Sequence, residues 1–347
     1  MAVVLASLVM VIGCGGPREK RVVVLINGNS PYWDAVRAGM VAGEREFKLG
    51  DAGLKAVMEM NDGTAAGQIS KLRQFASQSD IVAVAVSPLD ANNQAVADAM
   101  RQLKERGVYV ITLDGDLDRK RFRDARQFYL GTNNYAAGGQ AGICARNLVP
   151  DGGDYVDFVG RTGAQNAIDR MDGVKAACGD KLHERDRMPD DMDRTKAKDN
   201  VRNALRNFPD VKLLIGIWSY NAPAIVQVVE ETGKRKELKI VTFDAEKMAI
   251  DQMGDGMIDA MVVQNPYEIG YQCTRLLKAL VQDDKATVAE MFPHPETDEG
   301  DLYDTGLKIV VPGADSPLKA DMFAPKTEFF ELPAFRQWLA DHHLESS

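Results

Sequence analysis

Residues 21–33 read Arg-Val-Val-Val-Leu-Ile-Asn-Gly-Asn-Ser-Pro-Tyr-Trp. Val22 to Ile26 are apolar without alternation and rich in β-branched side chains, and the run is too short for a helix. Such a run suits a strand covered on both faces. Asn27 to Asn29 interrupt it with loop residues. Ser30 followed by Pro31 then reads as the N-cap and first position of a helix, which places Tyr32 and Trp33 at that helix's mouth. Strand, short polar loop and helix make half of a βαβ crossover.

The same pattern recurs along the chain. Apolar runs at Arg21–Ile26, Lys55–Met58, Ile81–Val86, Val108–Leu113, Tyr155–Val159, Lys212–Ile217, Lys239–Phe243 and Ala260–Val263 are mostly followed by a helical stretch. Parallel strands need such crossovers, so the fold class is α/β, doubly wound. Gly39 and Gly43 stand four apart on the first helix and are expected to let it sit close on the sheet. Gly152-Gly153 and Gly254-Asp255-Gly256 precede expected strands and read as turns. The segment after Val311, with Pro312, Pro317, Pro325 and Pro333, is expected to be an irregular wrap ending in a short helix near Ala334–Leu339.

In open α/β sheets ligands lie at the carboxyl ends of the strands. Those positions hold Ser87-Pro88-Leu89-Asp90, Asp114-Gly115-Asp116, Gly160-Arg161-Thr162, Trp218-Ser219-Tyr220-Asn221, Asp244-Ala245-Glu246 and Gln264-Asn265-Pro266. Carboxylates, amides and aromatics fill the strand ends. Asp114, Asp116 and Asp118 alternate as in a calcium loop, but its twelfth position is Ala125 rather than Glu, so no metal is expected. No cofactor motif is present either.

At 347 residues the chain suits two domains, and a hydrophobic fraction of 45% supplies two cores. A net charge of −9 argues against nucleic acid or an anionic membrane surface as partner. The basic segment Arg119–Arg126 reads as a solvated connection. Met1 to Ile12 are almost wholly apolar, too few to span a bilayer but suited to a signal core. Val11-Ile12-Gly13-Cys14 resembles the bacterial lipobox, which implies acylation at Cys14 and a lipid anchor. No Lys or Arg precedes the apolar run, a departure from that pattern. Cys144, Cys178 and Cys273 remain, widely spaced, and allow at most one disulfide.

Taken in order, VVVLINGNSPYWDAVRAGM, VAVSPLD, VITLDGD, GTNNYAAGGQAG, AIDRMDGV, IVTFDA and VVQNPYEIG resemble the ribose-type periplasmic sugar-binding proteins of ABC transporters. The resemblance covers nearly the whole chain beyond residue 20. It implies two similar lobes of the periplasmic binding protein type I fold, joined by three crossovers near Leu130–Asn134, Gln264–Asn265 and Asp304–Gly306. The expected division is 1–20 signal and linker, 21–131 plus 265–304 one lobe, and 132–264 plus 305–347 the other with the tail. It further implies that Ser30, Tyr32 and Trp33 contribute a polar group and two aromatics around a sugar ring, that Ser87 stands where Asn is common, and that Asp114 accepts from two hydroxyls. Asn221, Asp244 and Gln264 resemble the second lobe's and hinge's amide, carboxylate and amide. Two departures bear on ligand identity. The Arg expected after the first Asp is Gly115, and a helix Arg aligns with Ile168, leaving Arg170 as a structural residue and Asn166 as a substitute donor.

The residue types suit a sugar, whose hydroxyls donate and accept while its C–H faces are apolar. Ionised Asp accepts only, Asn and Gln do both, and Tyr32, Trp33 and Trp218 offer flat apolar faces with polar edges. The expected function is capture of a small sugar, as a monomer, and delivery to an ABC permease. A lipid-anchored receptor for a membrane sensor kinase, or a binder of another polar ligand, are the alternatives. Enzyme motifs are missing: the four His, His183, His294, His342 and His343, stand at no expected strand end. A nucleotide loop and a nucleophile elbow are lacking too. A sugar-responsive transcription regulator would carry a helix-turn-helix segment of roughly 50 residues where the apolar segment stands.

Overall fold

The computed structural model describes residues 19–347, so Cys14 and the apolar segment lie outside the described residues. In chain order the strands are β1 (Lys20–Ile26), β2 (Leu54–Met60), β3 (Ile81–Val86), β4 (Tyr109–Leu113), β5 (Tyr129–Gly131), β6 (Gly153–Val159), β7 (Leu182–Pro189), β8 (Leu213–Gly216), β9 (Lys239–Phe243), β10 (Ala260–Gln264), β11 (Leu302–Asp304), β12 (Leu307–Val311) and β13 (Thr327–Glu331). The helices are α1 (Pro31–Glu46), α2 (Ala65–Ala76), α3 (Gln94–Glu105), α4 (Arg119–Phe122), α5 (Asn134–Leu148), α6 (Gln165–Cys178), α7 (Arg194–Asn207), α8 (Asn221–Glu231), α9 (Lys247–Gly254), α10 (Pro266–Val281), α11 (Lys285–Met291) and α12 (Leu332–Asp341).

They form two sheets, ordered β11-β5-β4-β3-β1-β2 and β13-β12-β10-β9-β8-β6-β7. The first is parallel throughout. In the second, β12 enters antiparallel to β10, and β13 pairs parallel to β12. The apolar runs work as both-face strands: Val22, Val24 and Ile26 enter the core shared with α1 and α10, while Val23 and Leu25 enter the core on the opposite face. β6 and β8 to β10 divide their side chains between two cores in the same way. This is the architecture that the βα alternation implied.

Several elements depart from the sequence expectations. β7, Leu-His-Glu-Arg-Asp-Arg-Met-Pro, is an edge strand whose charged outer positions hide it from a hydrophobicity reading. The region after Val311 is more ordered than an irregular wrap, because β13 extends the second sheet and α12 packs its Leu332, Phe335 and Leu339 into a core. Gly39 brings α1 against a helix rather than a sheet. A Cβ there would stand 1.9 Å from the carbonyl oxygen of Tyr267 on α10. The segment Arg119–Arg126 is not simply solvated: Arg119, Arg123 and Arg126 all bond the carboxylate of Asp301, and Arg126, 3% exposed, also holds Asp116. A buried carboxylate requires such partners, and one that lies so far along the chain leaves no local sign. Cys144, Cys178 and Cys273 are buried free thiols.

The chain passes between the sheets three times, from β5 to α5, from β10 to α10 and from β11 to β12. These crossovers are bonded to one another: Thr305 N donates to Gly131 O at 2.9 Å, Asn133 N to Asp304 Oδ1 at 3.3 Å and Asn265 Nδ2 to Thr305 O at 3.5 Å. Gly306 turns the last of them at φ +78°.

Candidate functional site

The first residue after β4 is Asp114 and the first after β9 is Asp244, and both hold φ of 61°. Left-handed backbone at a non-glycine residue costs on the order of 1–3 kcal/mol and persists only where the surroundings impose it. Here the neighbouring strand imposes it. Asp114 N donates to Leu130 O at 3.1 Å, and Asp244 N to Val262 O at 2.8 Å.

Around Asp114 the first lobe builds a polar relay. Asn27 Nδ2 donates to Ser87 Oγ at 2.9 Å, and Ser87 Oγ donates to Asp114 Oδ2 at 3.1 Å. The turn carrying Ser87 is clamped by the fully buried Gln68, whose amide bonds Ser87 O at 2.9 Å and Leu89 N at 3.2 Å. Behind it, the Tyr129 hydroxyl lies 2.9 Å from Asp114 O and 3.0 Å from Thr132 O.

Around Asp244 the second lobe and hinge do the same work. Gln264 Nε2 donates to Asp244 Oδ1 at 3.0 Å, and Arg170 Nη1 stands 3.9 Å from Oδ2. Arg170 is 2% exposed and stacks 4.6 Å above the Phe243 ring; it donates to Asn134 Oδ1 at 2.9 Å and Ile217 O at 3.0 Å. Its framework role is therefore accompanied by charge aimed at the site. Ala245, next to Asp244, exchanges backbone bonds of 2.8 and 3.0 Å with Ser347.

Burial raises the carboxyls of both Asp114 and Asp244 above the ordinary range, and the Arg170 guanidinium pulls each part of the way back. The Asp244 charge raises Asp114 further, so carboxylates from the two lobes feel one another. The phenol of Tyr32 is pushed well up by burial and then by both carboxylates. It stands beside Asp114, yet no hydrogen bond of good geometry reaches its buried hydroxyl.

The indole of Trp218 lies against Gly160, where a Cβ would come within 2.1 Å of the ring. Asn221 fixes Trp218 from below in sequence, accepting from its backbone N at 3.0 Å while donating to Asp190 at 2.8 Å, so one amide N–H is left for other use. Trp33 is 5% exposed, belongs to the first lobe's core and meets Tyr32 edge-on at 5.2 Å. Ser30 is the N-cap of α1, with a hydroxyl that makes no capping bond. Asn166 lines a separate polar cavity beside the carboxylates. Tyr32 OH, Trp218 Nε1, Gln264 Oε1 and Asn265 Oδ1 are buried and unpartnered. Each such atom costs about 1–3 kcal/mol unless a ligand or water meets it.

Gln68 and Ser347 support the site without having been singled out from the sequence, while Asn27, Asn134 and Gly160 stood at expected strand ends or crossovers with no role assigned. Gln68, inside α2, gave no signal. Among the described residues no group of three His, Cys, Asp or Glu side chains is placed to hold a metal ion, and no helix is long and apolar enough to cross a membrane.

The profile of the periplasmic binding protein domain matches residues 21–285. The chain belongs to the periplasmic binding protein family. Relatives of this binding protein include the D-allose-binding periplasmic protein of Escherichia coli, 26% identical over 82% of this chain and 90% of that one. The ribose import binding protein of Bacillus subtilis is 23% identical over 71% and 76%. Among solved structures, a solute-binding protein of an ABC transporter from Burkholderia graminis, in complex with D-arabinose, superposes with a TM-score of 0.71 at 22% identity, over 85% of this chain and 96% of that one. A glucose-galactose binding protein from Geobacillus stearothermophilus gives 0.71 at 21%, over 87% and 100%. Relatives and neighbours alike are solute-binding proteins, and this chain is a binding protein, not an enzyme.

Proposed function

We propose that this protein captures a small neutral sugar, a pentose, hexose or similar polyol, between its two lobes and presents it to an ABC permease on the outer side of the cytoplasmic membrane. The observation that carries the reading is the closeness of Asp114 and Asp244, one from each lobe, to one another and to the unpartnered Tyr32 hydroxyl, with a second unpartnered donor on the Trp218 indole at another strand end. Two acceptors, a donor-acceptor phenol and an indole donor match hydroxyls on several sides of a ring. Ser30, Ser87, Asn221 and Gln264 complete the proposed polar set, with Trp33 backing Tyr32 and Asn166 contributing from the adjoining cavity. The named sugars of the relatives, allose and ribose, fit this class.

The proposed lobes are 21–131 plus 265–304 and 132–264 plus 305–347. The crossovers between them form the hinge about which the lobes open to admit ligand. Acylation at Cys14 anchors the monomer to the membrane in this proposal; Cys14→Ala then releases the protein into the soluble fraction, and continued membrane retention overturns the anchor. The ligand reading is tested by a thermal-shift screen of pentoses, hexoses, inositols and sugar acids, followed by calorimetry and by small-angle scattering with and without the best binder. A neutral sugar is expected to raise the melting temperature and shrink the radius of gyration. A response confined to sugar acids, or to none of the panel, overturns it.

A further inference from the structure

Lined by Tyr129 and Asn134, which contact Asp114 and Arg170, is a cavity of about 640 Å³, inside the range of roughly 300–1,000 Å³ usual for small-molecule sites. We propose that it is a subsite for a second sugar ring, so that the protein's ligand class extends to disaccharides and other O-glycosides. The proposal rests on the sugar-binding reading above.

Its walls are joined to the first site. Tyr129 lines the cavity with its hydroxyl 2.9 Å from the Asp114 carbonyl, and Asn134 lines it while holding Arg170, which faces Asp244. Thr132, from the crossover between the lobes, lines it too, fully buried and with an Oγ1 that has no hydrogen-bond partner. A buried hydroxyl without a partner at the junction of two sites asks for a ligand oxygen, and the bridging oxygen of a glycoside is one.

The chemistry beyond Thr132 is that of a carbohydrate surface. Tyr135, at the start of α5, is 54% exposed, which is unusual for so large an apolar side chain and gives a flat face for ring C–H groups. On α6 opposite, Gln165 donates to Asp169 Oδ1 at 2.8 Å, and Asn166 adds an amide that can donate and accept. Burial raises the Asp169 carboxyl. The charges argue for a neutral ring rather than a phosphate: Arg119 and Arg123 are committed to Asp301 and Asp116 to Arg126, while Asp118, Asp169, Asp298 and Glu299 outnumber the remaining Lys120.

The test is calorimetry on the full chain with D-ribose, D-allose, D-galactose, D-glucose and D-fructose beside melibiose, lactose, cellobiose, gentiobiose and sucrose. At least one disaccharide is expected to bind about tenfold more tightly than either component ring. Tyr135→Ala is expected to remove that advantage while leaving monosaccharide affinity within about twofold, and Tyr135→Phe to retain it. Monosaccharides that bind while no disaccharide exceeds them overturn the second subsite and leave the sugar-binding reading intact. A disaccharide advantage untouched by Tyr135→Ala overturns its placement here. Absence of binding by every sugar overturns both readings together.

Discussion

Asp114 and Asp244 are equivalent residues of two similar lobes, each the first after the fourth strand of its βα series and each at φ 61°. The charge of Asp244 raises the Asp114 carboxyl, and both backbones are pinned by the next strand. The same unfavourable backbone at matched places is what the proposed ligand-binding role of the pair would explain. Asp→Ala at either position deletes a charge-assisted acceptor and is expected to weaken sugar binding by about one to two decades, at roughly 1.5–3 kcal/mol per bond. Calorimetry checks it; wild-type affinity in both variants removes them from the site.

The same backbone makes a separate prediction about stability without ligand. Ala at φ 61° keeps the Cβ strain, whereas Gly does not. Asp114→Gly and Asp244→Gly are therefore expected to unfold at a free energy about 1 kcal/mol above their Ala counterparts, although neither binds sugar well. Equal stability of the Ala and Gly variants in denaturant melts shows that the conformation is not strained.

The strand ends were legible in the sequence because a both-face apolar run stops abruptly where side chains leave the core, as Val86-Ser87 and Leu113-Asp114 do. Their supports were not. Gln68 is one buried amide inside an amphipathic helix, and Arg170, expected as a structural residue, gives no sign in the sequence of its partners Asn134 and Ile217 O. β7 escaped because an edge strand needs few apolar positions, and β5 and β11 because three residues are too few to show a period. Trp33 shows the opposite limit: its place beside Tyr32 was readable, but its commitment to the core was not.

Acidification is expected to weaken ligand binding early. Burial lifts Asp114 and Asp244 above the ordinary carboxylate value of 3.8, and a protonated carboxyl loses part of its capacity to accept from hydroxyls. Affinity should fall as pH drops through these raised values, before ordinary surface carboxylates titrate. For apo stability the sign is reversed. The folded state holds these protons more tightly than the unfolded chain, so ionisation costs stability as pH rises through the window between the unfolded and folded values, and the cost is absent below it. A pH series of calorimetric titrations checks the first part; affinity constant down to pH 3.8 refutes it.

Asp301 behaves in the opposite sense. Burial alone raises its carboxyl, but Arg126, Arg119 and Arg123 together hold it below the ordinary range. Its contribution to stability is present above the unfolded pKa and is lost as pH falls through the lower folded value. Asp301→Ala leaves Arg126 buried with only Asp116, and is expected to destabilise the protein by about 3–5 kcal/mol. Asp301→Asn should also flatten the acid limb of the stability profile. Denaturant melts across pH check both, and a loss under about 1 kcal/mol for the Ala variant means that Arg126 re-pairs.

The helix that leaves the second crossover makes a last prediction about the hinge. α10 begins at Pro266, directly after Gln264 and Asn265, and it crosses α1 with no room between backbones. A Cβ on Gly39 would stand 1.9 Å from Tyr267 O, and one on Gly270 1.9 Å from Val36 O. Backbone cannot rotate away as a side chain can, so Gly39→Ala or Gly270→Ala must push the helices apart. Overpacking of this kind costs about 1–3 kcal/mol or more. Because α10 carries the Gln264 crossover, the displacement should reach Asp244 through its bond from Gln264 Nε2. Sugar affinity is therefore expected to fall along with stability, although both glycines are on helices outside the strand ends. In the other lobe Gly138 and Gly173 meet α6 and α5 backbone at 2.0 and 2.2 Å in the same way. Gly173→Ala should act on Arg170 and Asn134 instead. Denaturant melts and calorimetry on the three variants decide the matter: a stability loss with unchanged affinity in all of them would show that the helix crossings hold the lobes without positioning the site.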